Sequence, residues 1–217
     1  MSVIFHEPLR PPGEWGLWHI TESEAWLRGQ INLSREEKEG LDLIHGEGRR
    51  REYLAARLLL HHMSGRNTRG DLYKDDAGKP HLRNSIFHVS ISHTVNYSAA
   101  IAHPAPCGID VQRIVPRISR LAPKFVGQGE RPQIKAAHEL IQLHLIWSAK
   151  EAMYKAFGRR QIDFKEHLFV DFEDYDPEKL TATALLKKGA VEMLFDLDFR
   201  IFDTFVMVSC VERMASL

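Results

Sequence analysis

The feature that most restricts the fold is a long helical pattern over residues 133–157, which Gly158 is placed to end. Four segments with the alternating pattern of β-strands follow this helix, and short turns separate them. The four segments are residues 168–172, 181–186, 191–202 and 204–211. Strands joined by such turns pair in antiparallel fashion, so we expect one long helix followed by an antiparallel sheet.

The first half of the chain mixes helices and strands in another order. Strand patterns cover residues 2–5, 15–20, 87–91 and 97–102, and a longer helix is predicted over 47–64, with Gly65 to end it. Two capping-box sequences each predict the start of a helix: Thr21-Glu22-Ser23-Glu24 and Ser34-Arg35-Glu36-Glu37. Helices and strands do not alternate as βαβ units would, so the predicted fold class is α+β.

A connection rich in proline separates the two halves. Pro104 and Pro106 lie between the last strand pattern of the first half and the first of the second, and proline is unfavourable inside a sheet. We therefore predict an N-terminal α+β half over residues 1–104 and a C-terminal α+β half over residues 105–217.

The charge balance limits the classes of partner. Lysine plus arginine equals aspartate plus glutamate, at 29 each, so the overall charge favours neither nucleic acid nor an anionic membrane. We expect a cytoplasmic protein, because the start of the chain lacks a basic segment followed by an apolar one and no apolar run is long enough to cross a bilayer. Cys107 and Cys210 are interpreted as reduced core residues.

Several charged side chains interrupt apolar patterns in the second half. Asp110 falls in a short apolar strand, where it is unfavourable unless something pairs with it. Glu151 and Lys155 share one helical face with Trp147 and Tyr154, and Lys150 lies beside them. Two carboxylates on different elements meet only through the fold, and such oxygen ligands suit Mg²⁺ better than Zn²⁺.

Each of these features also has a purely structural interpretation. Trp147 could be core beside ordinary surface ion pairs, Lys79 a turn residue, His93 a strand-end residue and Glu130 a surface acid. Four arginines on the predicted helix form either a solvated face or an anion-binding wall: Arg49, Arg50, Arg51 and Arg57. A metal hydrolase would need histidines such as His61, His62, His88 or His103, but no HExxH spacing is present.

Five segments, in order, resemble the signatures of the Sfp-type 4′-phosphopantetheinyl transferase superfamily. They are Gly78-Lys79-Pro80, Ile91-Ser92-His93, Gly108-Ile109-Asp110-Val111-Gln112, Phe125 through Glu130, and Trp147-Ser148-Ala149-Lys150-Glu151-Ala152-Met153-Tyr154-Lys155. The resemblance spans about residues 50–155. One position departs from it, because Gln112 stands where the family has a second acid in the strand.

The resemblance implies two similar α+β halves related by a pseudo-twofold axis, with coenzyme A in the cleft between them. It implies a monomeric enzyme of the holo-[acyl-carrier-protein] synthase type. Such an enzyme uses Mg²⁺ to move the 4′-phosphopantetheine arm of coenzyme A onto a serine of an apo acyl or peptidyl carrier protein, and it releases adenosine 3′,5′-bisphosphate. The partners would be carrier proteins of fatty acid, polyketide or nonribosomal peptide biosynthesis.

The same resemblance implies roles for individual residues. Asp110 and Glu151 would hold the metal, with Gln112 as a weaker ligand, and Glu151 would also act as the base for the carrier serine. Lys150 and Lys155 would stabilise the leaving bisphosphate. The remaining coenzyme A contacts would come from Arg57, Lys79, Pro80, Ser92 and His93. The alternative is a coenzyme A or carrier-protein binding module of the same fold that has lost turnover, which Gln112 alone suggests.

Overall fold

A computed structural model describes residues 2–159, 161–172 and 175–213 of the chain. The chain divides into two units, Met1–Pro104 and Ala105–Leu217. Each unit contains its own antiparallel sheet together with helices. The predicted α+β class is confirmed.

The N-terminal unit is built on a six-stranded sheet. Its elements are β1 (Val3–Pro8), β2 (Glu14–His19), α1 (Glu24–Gly29), α2 (Arg35–Asp42), α3 (Glu47–Ser64), β3 (Leu72–Lys74), β4 (Pro80–Leu82), β5 (His88–Thr94) and β6 (Tyr97–His103). The strand order is β1-β2-β6-β5-β4-β3. Helix α3 packs on this sheet, and its Leu54 and Leu59 are buried in one cluster with Trp18, Val89 and Ala100.

The caps explain where the helices of this unit begin and end. The capping box at Ser34 and Glu37 is confirmed, since each side chain accepts the backbone N–H of the other residue. The box predicted at Thr21 is wrong, because Ser23 caps α1 instead and accepts from the backbone of Trp26 at 3.2 Å. Gly65 ends α3 in the left-handed region, with a φ of 59°.

The C-terminal unit is built on a five-stranded sheet. Its elements are β7 (Cys107–Arg113), α4 (Ile118–Leu121), α5 (Glu139–Phe157), β8 (Leu168–Asp171), β9 (Thr181–Lys188), β10 (Val191–Ile201) and β11 (Phe205–Glu212). The order is β7-β11-β10-β9-β8, and all neighbouring strands are antiparallel, as predicted. Helix α5 packs against both β7 and β11.

The long helix begins later than its sequence pattern predicts. It starts at Glu139, and two short 3₁₀ turns occupy residues 131–133 and 136–138. The side chain of Gln142 explains this difference, because it accepts from the backbone N–H of Lys135 at 2.7 Å and donates to the carbonyl of Gln133 at 3.1 Å. These bonds satisfy backbone groups that an earlier helical turn would have used.

In the described part of the chain, no helix combines the length and the apolar character needed to cross a membrane.

Candidate active site

Strand β7 and helix α5 approach each other closely at Gly108. A Cβ atom added at Gly108 would lie 1.9 Å from the carbonyl oxygen of Ala152 and 3.1 Å from the backbone nitrogen of Ala156. Any side chain at this position would therefore displace the helix. Asp110, two residues further along the strand, lies on the same face of β7 as Gly108. The glycine thus brings the aspartate within reach of α5.

Lys155 joins the helix to the strand at this point. Its Nζ donates to Oδ1 of Asp110 at 2.8 Å and to the carbonyl oxygen of Ile109 at 2.9 Å. An ammonium group carries three N–H donors, and the third donates to none of the described residues. The side chain of Lys155 is 27% exposed and that of Asp110 is 10% exposed. The lysine therefore keeps one donor for a ligand that enters from solvent.

Glu151 lies one turn before Lys155 and is half-buried. Burial, and then the negative charge of Asp110, raise the pKa of Glu151, whereas the ammonium of Lys155 acts in the opposite direction. The two carboxylates are therefore close enough to repel each other. A cation placed between them would remove this repulsion.

Gln112 follows Asp110 by two residues, so both lie on one face of β7, and its side chain is half-buried. Among residues 2–159, 161–172 and 175–213, no three His, Cys, Asp or Glu side chains are grouped so that they could hold a metal. A metal here would rely on two carboxylates and an amide oxygen. This donor set fits Mg²⁺, which commonly takes one or two carboxylates and fills its other positions with water and phosphate oxygens.

Lys150 does not join this group. It is completely buried, and its Nζ donates to Oε2 of Glu130 at 2.6 Å, to the carbonyl of Phe125 at 2.7 Å and to that of Phe164 at 2.8 Å. All three N–H donors therefore have protein acceptors. Burial lowers the pKa of Lys150, and the charge of Glu130 opposes this effect. The predicted contact with a leaving bisphosphate stays a prediction, and this burial argues against it.

Glu130, which the sequence left undecided between site and surface, is also buried, with 1% of its surface exposed. Its Oε2 accepts from the backbone of Gly127 at 2.7 Å in addition to Lys150, and its Oε1 accepts from the backbone of Val170 at 2.8 Å. The pair of Glu130 and Lys150 thus connects a loop, helix α5 and strand β8. It stabilises the part of α5 next to Glu151 without presenting a charge to solvent.

In the N-terminal unit, Lys79 and Pro80 lie where a tight turn enters β4. Oδ1 of Asp75 accepts from the backbone N–H groups of Ala77 at 3.0 Å and Lys79 at 2.9 Å. Gly78 has a φ of 88°, which favours glycine. Lys79 is half-buried, and its charge, after burial of the imidazole, contributes to lowering the pKa of His88.

Ser92 and His93 are neighbours on β5 and therefore point to opposite faces of the sheet. Ser92 is buried. Nδ1 of His93 lies 2.8 Å from Nη1 of Arg49 and 3.2 Å from a carboxylate oxygen of Glu52, both on α3. The structure therefore distributes the predicted phosphate-binding residues over both faces of β5. Sequence reasoning missed Glu52, although its position three residues after Arg49 was an available signal.

Arg57 lies deeper in α3, with 7% of its surface exposed. Its Nε donates to Glu37 at 3.2 Å, its Nη1 donates to the carbonyl of Tyr53 at 3.0 Å, and the guanidinium stacks 3.2 Å above the Tyr53 ring. Its predicted contact with coenzyme A stays a prediction. The other arginines of the predicted wall are also engaged, Arg50 with Glu24 and Arg51 with the carbonyl of Ile20.

Comparison with known families matches two parts of the chain. Residues 106–198 match a model described as the 4′-phosphopantetheinyl transferase superfamily. Residues 46–103 match a model described as the 4′-phosphopantetheinyl transferase N-terminal domain. The first match contains the candidate site on β7 and α5, and the second contains α3, Lys79 and His93.

Individual curated proteins are similar to the same region. The chain is 29% identical over 146 residues to enterobactin synthase component D of Salmonella austin and 30% identical over 149 residues to that of Salmonella typhi. Each match covers 65% of this chain and 59% of the relative. The protein of the same name from Salmonella typhimurium strain LT2 is 33% identical over 127 residues, which are 55% of this chain and 53% of that protein. The chain thus spans less than two thirds of the length of these relatives.

Proposed function

The chain belongs to the 4′-phosphopantetheinyl transferase superfamily, and we propose that it transfers the 4′-phosphopantetheine arm of coenzyme A to a serine of an apo acyl or peptidyl carrier protein. The reaction proposed is that of a holo-[acyl-carrier-protein] synthase. Its second product is adenosine 3′,5′-bisphosphate. The group of Asp110, Glu151 and Lys155 supports this proposal most directly, because it combines two repelling carboxylates with a lysine that retains a donor.

Each of these side chains has a task in the transfer. The carrier serine oxygen forms a bond to the phosphorus next to the pantetheine, and the bond from that phosphorus to the bridging oxygen breaks. Glu151 accepts the serine proton, a role that its raised pKa favours at neutral pH. Lys155 directs its third N–H at the leaving bisphosphate and stabilises its negative charge.

Asp110, Glu151 and Gln112 would hold Mg²⁺. When bound, the ion supplies charge neutralisation and orientation of the pyrophosphate. Asp110 has a second task in this proposal, because its bond to Lys155 fixes the direction of the ammonium group. The ammonium group of Lys155 on α5 is thereby held beside the Asp110 carboxylate on β7.

The 3′-phosphate of coenzyme A is assigned to the N-terminal unit. Lys79 and His93 are the proposed contacts, with Ser92 and Pro80 beside them. Arg49 supports this assignment, since it lies 2.8 Å from the ring of His93 and is exposed to solvent. A guanidinium at this position suits a phosphate group.

A basic surface after β7 supports a carrier protein as partner. Arg113, Arg117, Arg120 and Lys124 are all exposed. Between residues 113 and 138 the sequence contains one acid, Glu130, and its charge is buried against Lys150. Leu121, which is 38% exposed, adds an apolar contact among these charges. Carrier proteins that present an acidic helix beside their serine would be complementary to this surface.

The test is mass spectrometry of a panel of apo carrier proteins incubated with the protein, coenzyme A and Mg²⁺. We expect a mass increase equal to one phosphopantetheine on at least one carrier. Reversal of the charges at Arg117 and Arg120 should raise the KM for that carrier and leave coenzyme A binding unchanged. No modified carrier in the whole panel, from protein that binds coenzyme A, would favour the alternative of a binding module, which Gln112 suggests.

A further inference from the structure

The N-terminal unit contains a pocket of about 160 Å³ beside the second half of α3. Of the residues predicted to bind coenzyme A, Arg57 lines it, whereas Lys79, Ser92 and His93 are not among its lining residues. Arg49 and Ser64 are 15 residues apart on α3, and at 1.5 Å per residue the helix separates them by about 22 Å. The pocket, which Ser64 lines, is therefore distant from the pair of Arg49 and His93.

One side of this pocket is apolar. Leu60, Met63, Leu72, Leu82 and Phe87 contribute to its lining. Leu82 and Phe87 remain half-buried rather than fully buried, so a ligand could cover them further. Ligand sites typically combine such an apolar lining with a few polar groups that fix orientation.

The other side carries four arginines, namely Arg57, Arg66, Arg69 and Arg83. Two of them pair with acids of α2. Arg69 donates to both carboxylate oxygens of Glu37, and Arg83 donates to both oxygens of Glu36 at 3.0 Å. Arg69 donates from all three guanidinium nitrogens to protein acceptors, whereas Arg83 uses only its Nη2 in its pair with Glu36 and its side chain is 49% exposed.

The other two arginines also keep N–H donors that a ligand could use. Arg57 uses its Nε and Nη1, while its Nη2 donates to none of the described residues although the side chain is only 8% exposed. Arg66 is exposed, and its guanidinium forms no ion pair within the described ranges. Nδ1 of His61, which also lines the pocket, is buried with no hydrogen-bond partner in the described structure. The pocket lining thus offers Arg57 Nη2, the Arg66 guanidinium and His61 Nδ1 as polar groups that a ligand could bind.

The local charge determines what kind of anion fits. Four guanidiniums surround the pocket, and three carboxylates pair with them, those of Glu36, Glu37 and Asp71. Glu14, the acid in the lining, is paired with His6 at 2.5 Å. Because His6 is a cation only when protonated, Glu14 counts as a fourth carboxylate against the four guanidiniums, and a monoanion is therefore tolerated better than a phosphate dianion.

We propose that this pocket binds a small aliphatic monocarboxylate, with its carboxylate on Arg57 Nη2 and Arg66 and its chain over Leu82 and Phe87. The volume is below the roughly 300–1,000 Å³ of sites for drug-sized ligands, so the chain is short. The site is independent of the transfer reaction proposed above. It would be present whether or not the protein turns over coenzyme A.

The experiment is calorimetric titration of the full-length protein with octanoate below its micellar concentration. We expect saturable binding to one site, at least about tenfold tighter than that of octanol, because the alcohol lacks the charge that Arg66 and Arg57 would bind. Arg66→Ala should weaken octanoate binding at least about tenfold. Arg35→Ala is the matched control, since it removes an exposed arginine of α2 that does not line the pocket, and octanoate binding should stay unchanged.

Leu82→Trp provides a second test, because it fills the apolar side without removing a charge, and it should abolish octanoate binding while coenzyme A still binds. The proposal is overturned if octanoate shows no saturable binding, if octanol binds as tightly, or if Arg66→Ala behaves like Arg35→Ala. It is also overturned if coenzyme A displaces octanoate, since the pocket would then belong to the coenzyme A site.

Discussion

Helix α5 contributes lysines to two lysine–carboxylate pairs, one buried and fully hydrogen-bonded and the other partly open to solvent. Lys150 pairs with Glu130 in the interior, where three protein acceptors use all of its donors. Lys155, five residues later, pairs with Asp110 near solvent, where two acceptors leave one donor over. The two lysines are chemically identical and belong to one short segment. Their different surroundings leave a donor for a ligand on Lys155 but none on Lys150.

The comparison teaches that the hydrogen-bond donors left without a protein acceptor, rather than the residue type, indicate which charged side chain can bind a ligand. A buried and fully bonded pair can stabilise a wall but cannot bind a substrate, because no donor remains for the substrate. A pair that is open on one side keeps this capacity. Glu151 adds to the open pair a carboxylate whose pKa is raised by burial and by Asp110. In the closed pair, the other acceptors of Lys150 are two neutral backbone carbonyls, those of Phe125 and Phe164.

The largest expected effect is on stability. Lys150→Met should lower the free energy of unfolding by about 3–5 kcal/mol, because it leaves Glu130 as a buried charge without its cation. Lys155→Met should change it by less than about 1 kcal/mol, since that pair is partly exposed. Chemical denaturation of the two variants measures the difference. Adding Glu130→Gln to Lys150→Met should recover part of the loss, and equal losses in the two single variants would contradict the comparison.

The next effect is on the transfer rate. Asp110→Ala and Glu151→Ala should each lower transfer by at least about a hundredfold and leave the protein folded, because each removes an oxygen ligand from the proposed metal site. Steady-state kinetics at saturating Mg²⁺, with circular dichroism of each variant, provides the measurement. A rate close to that of the wild type would refute the metal assignment.

A smaller effect concerns coenzyme A binding by the N-terminal unit, where Lys79 is the proposed contact of the 3′-phosphate. Lys79→Ala should weaken the binding of coenzyme A at least about tenfold, because a charge-assisted bond to the 3′-phosphate is lost. The affinity for dephospho-coenzyme A should change little. Calorimetry with both ligands gives the two affinities. Lys74→Ala, which removes an exposed lysine of β3, serves as the control. Equal weakening of both ligands would place Lys79 away from the 3′-phosphate.

A pH-dependent effect follows from the raised pKa of Glu151. A carboxyl group whose folded-state pKa is raised favours folding in its protonated form, so its stabilising contribution is complete below its ordinary pKa of 4.5 and is lost as the pH rises through the raised value. Glu151→Gln should therefore raise the Tm relative to the wild type at pH 7 and match it at pH 4, in the absence of metal. Thermal melts across this range test the idea. Glu166→Gln, at an exposed carboxylate, should show no such trend.

The smallest expected effect concerns Gln112. Gln112→Ala should lower the transfer rate less than about tenfold, because an amide brings no charge to the metal. Gln112→Glu should increase the affinity for Mg²⁺, because it adds a negative charge. Transfer rate against Mg²⁺ concentration distinguishes these variants. An alanine at 112 as damaging as one at 110 would show that the amide is a full ligand.

Local sequence patterns determined most of the secondary structure. The caps at Ser34 and Gly65 and the alternation in the C-terminal strands each depend on near neighbours in the chain, so they could be predicted. The start of α5 could not, because the side chain of Gln142 intervenes in the turns before it. The cap of α1 was misplaced by two residues because Thr21 and Ser23 are both good capping residues.

The sequence by itself determined that Asp110 needs a partner in its apolar strand and that Glu151 and Lys155 share one helical face, and the family resemblance placed the three in one group. Only the tertiary structure decided that Lys150 is excluded from that group and that Glu130 is buried with it. The reason is physical. Residues 130 and 150 are distant in the sequence, and burial and donor saturation arise only where such distant segments pack together.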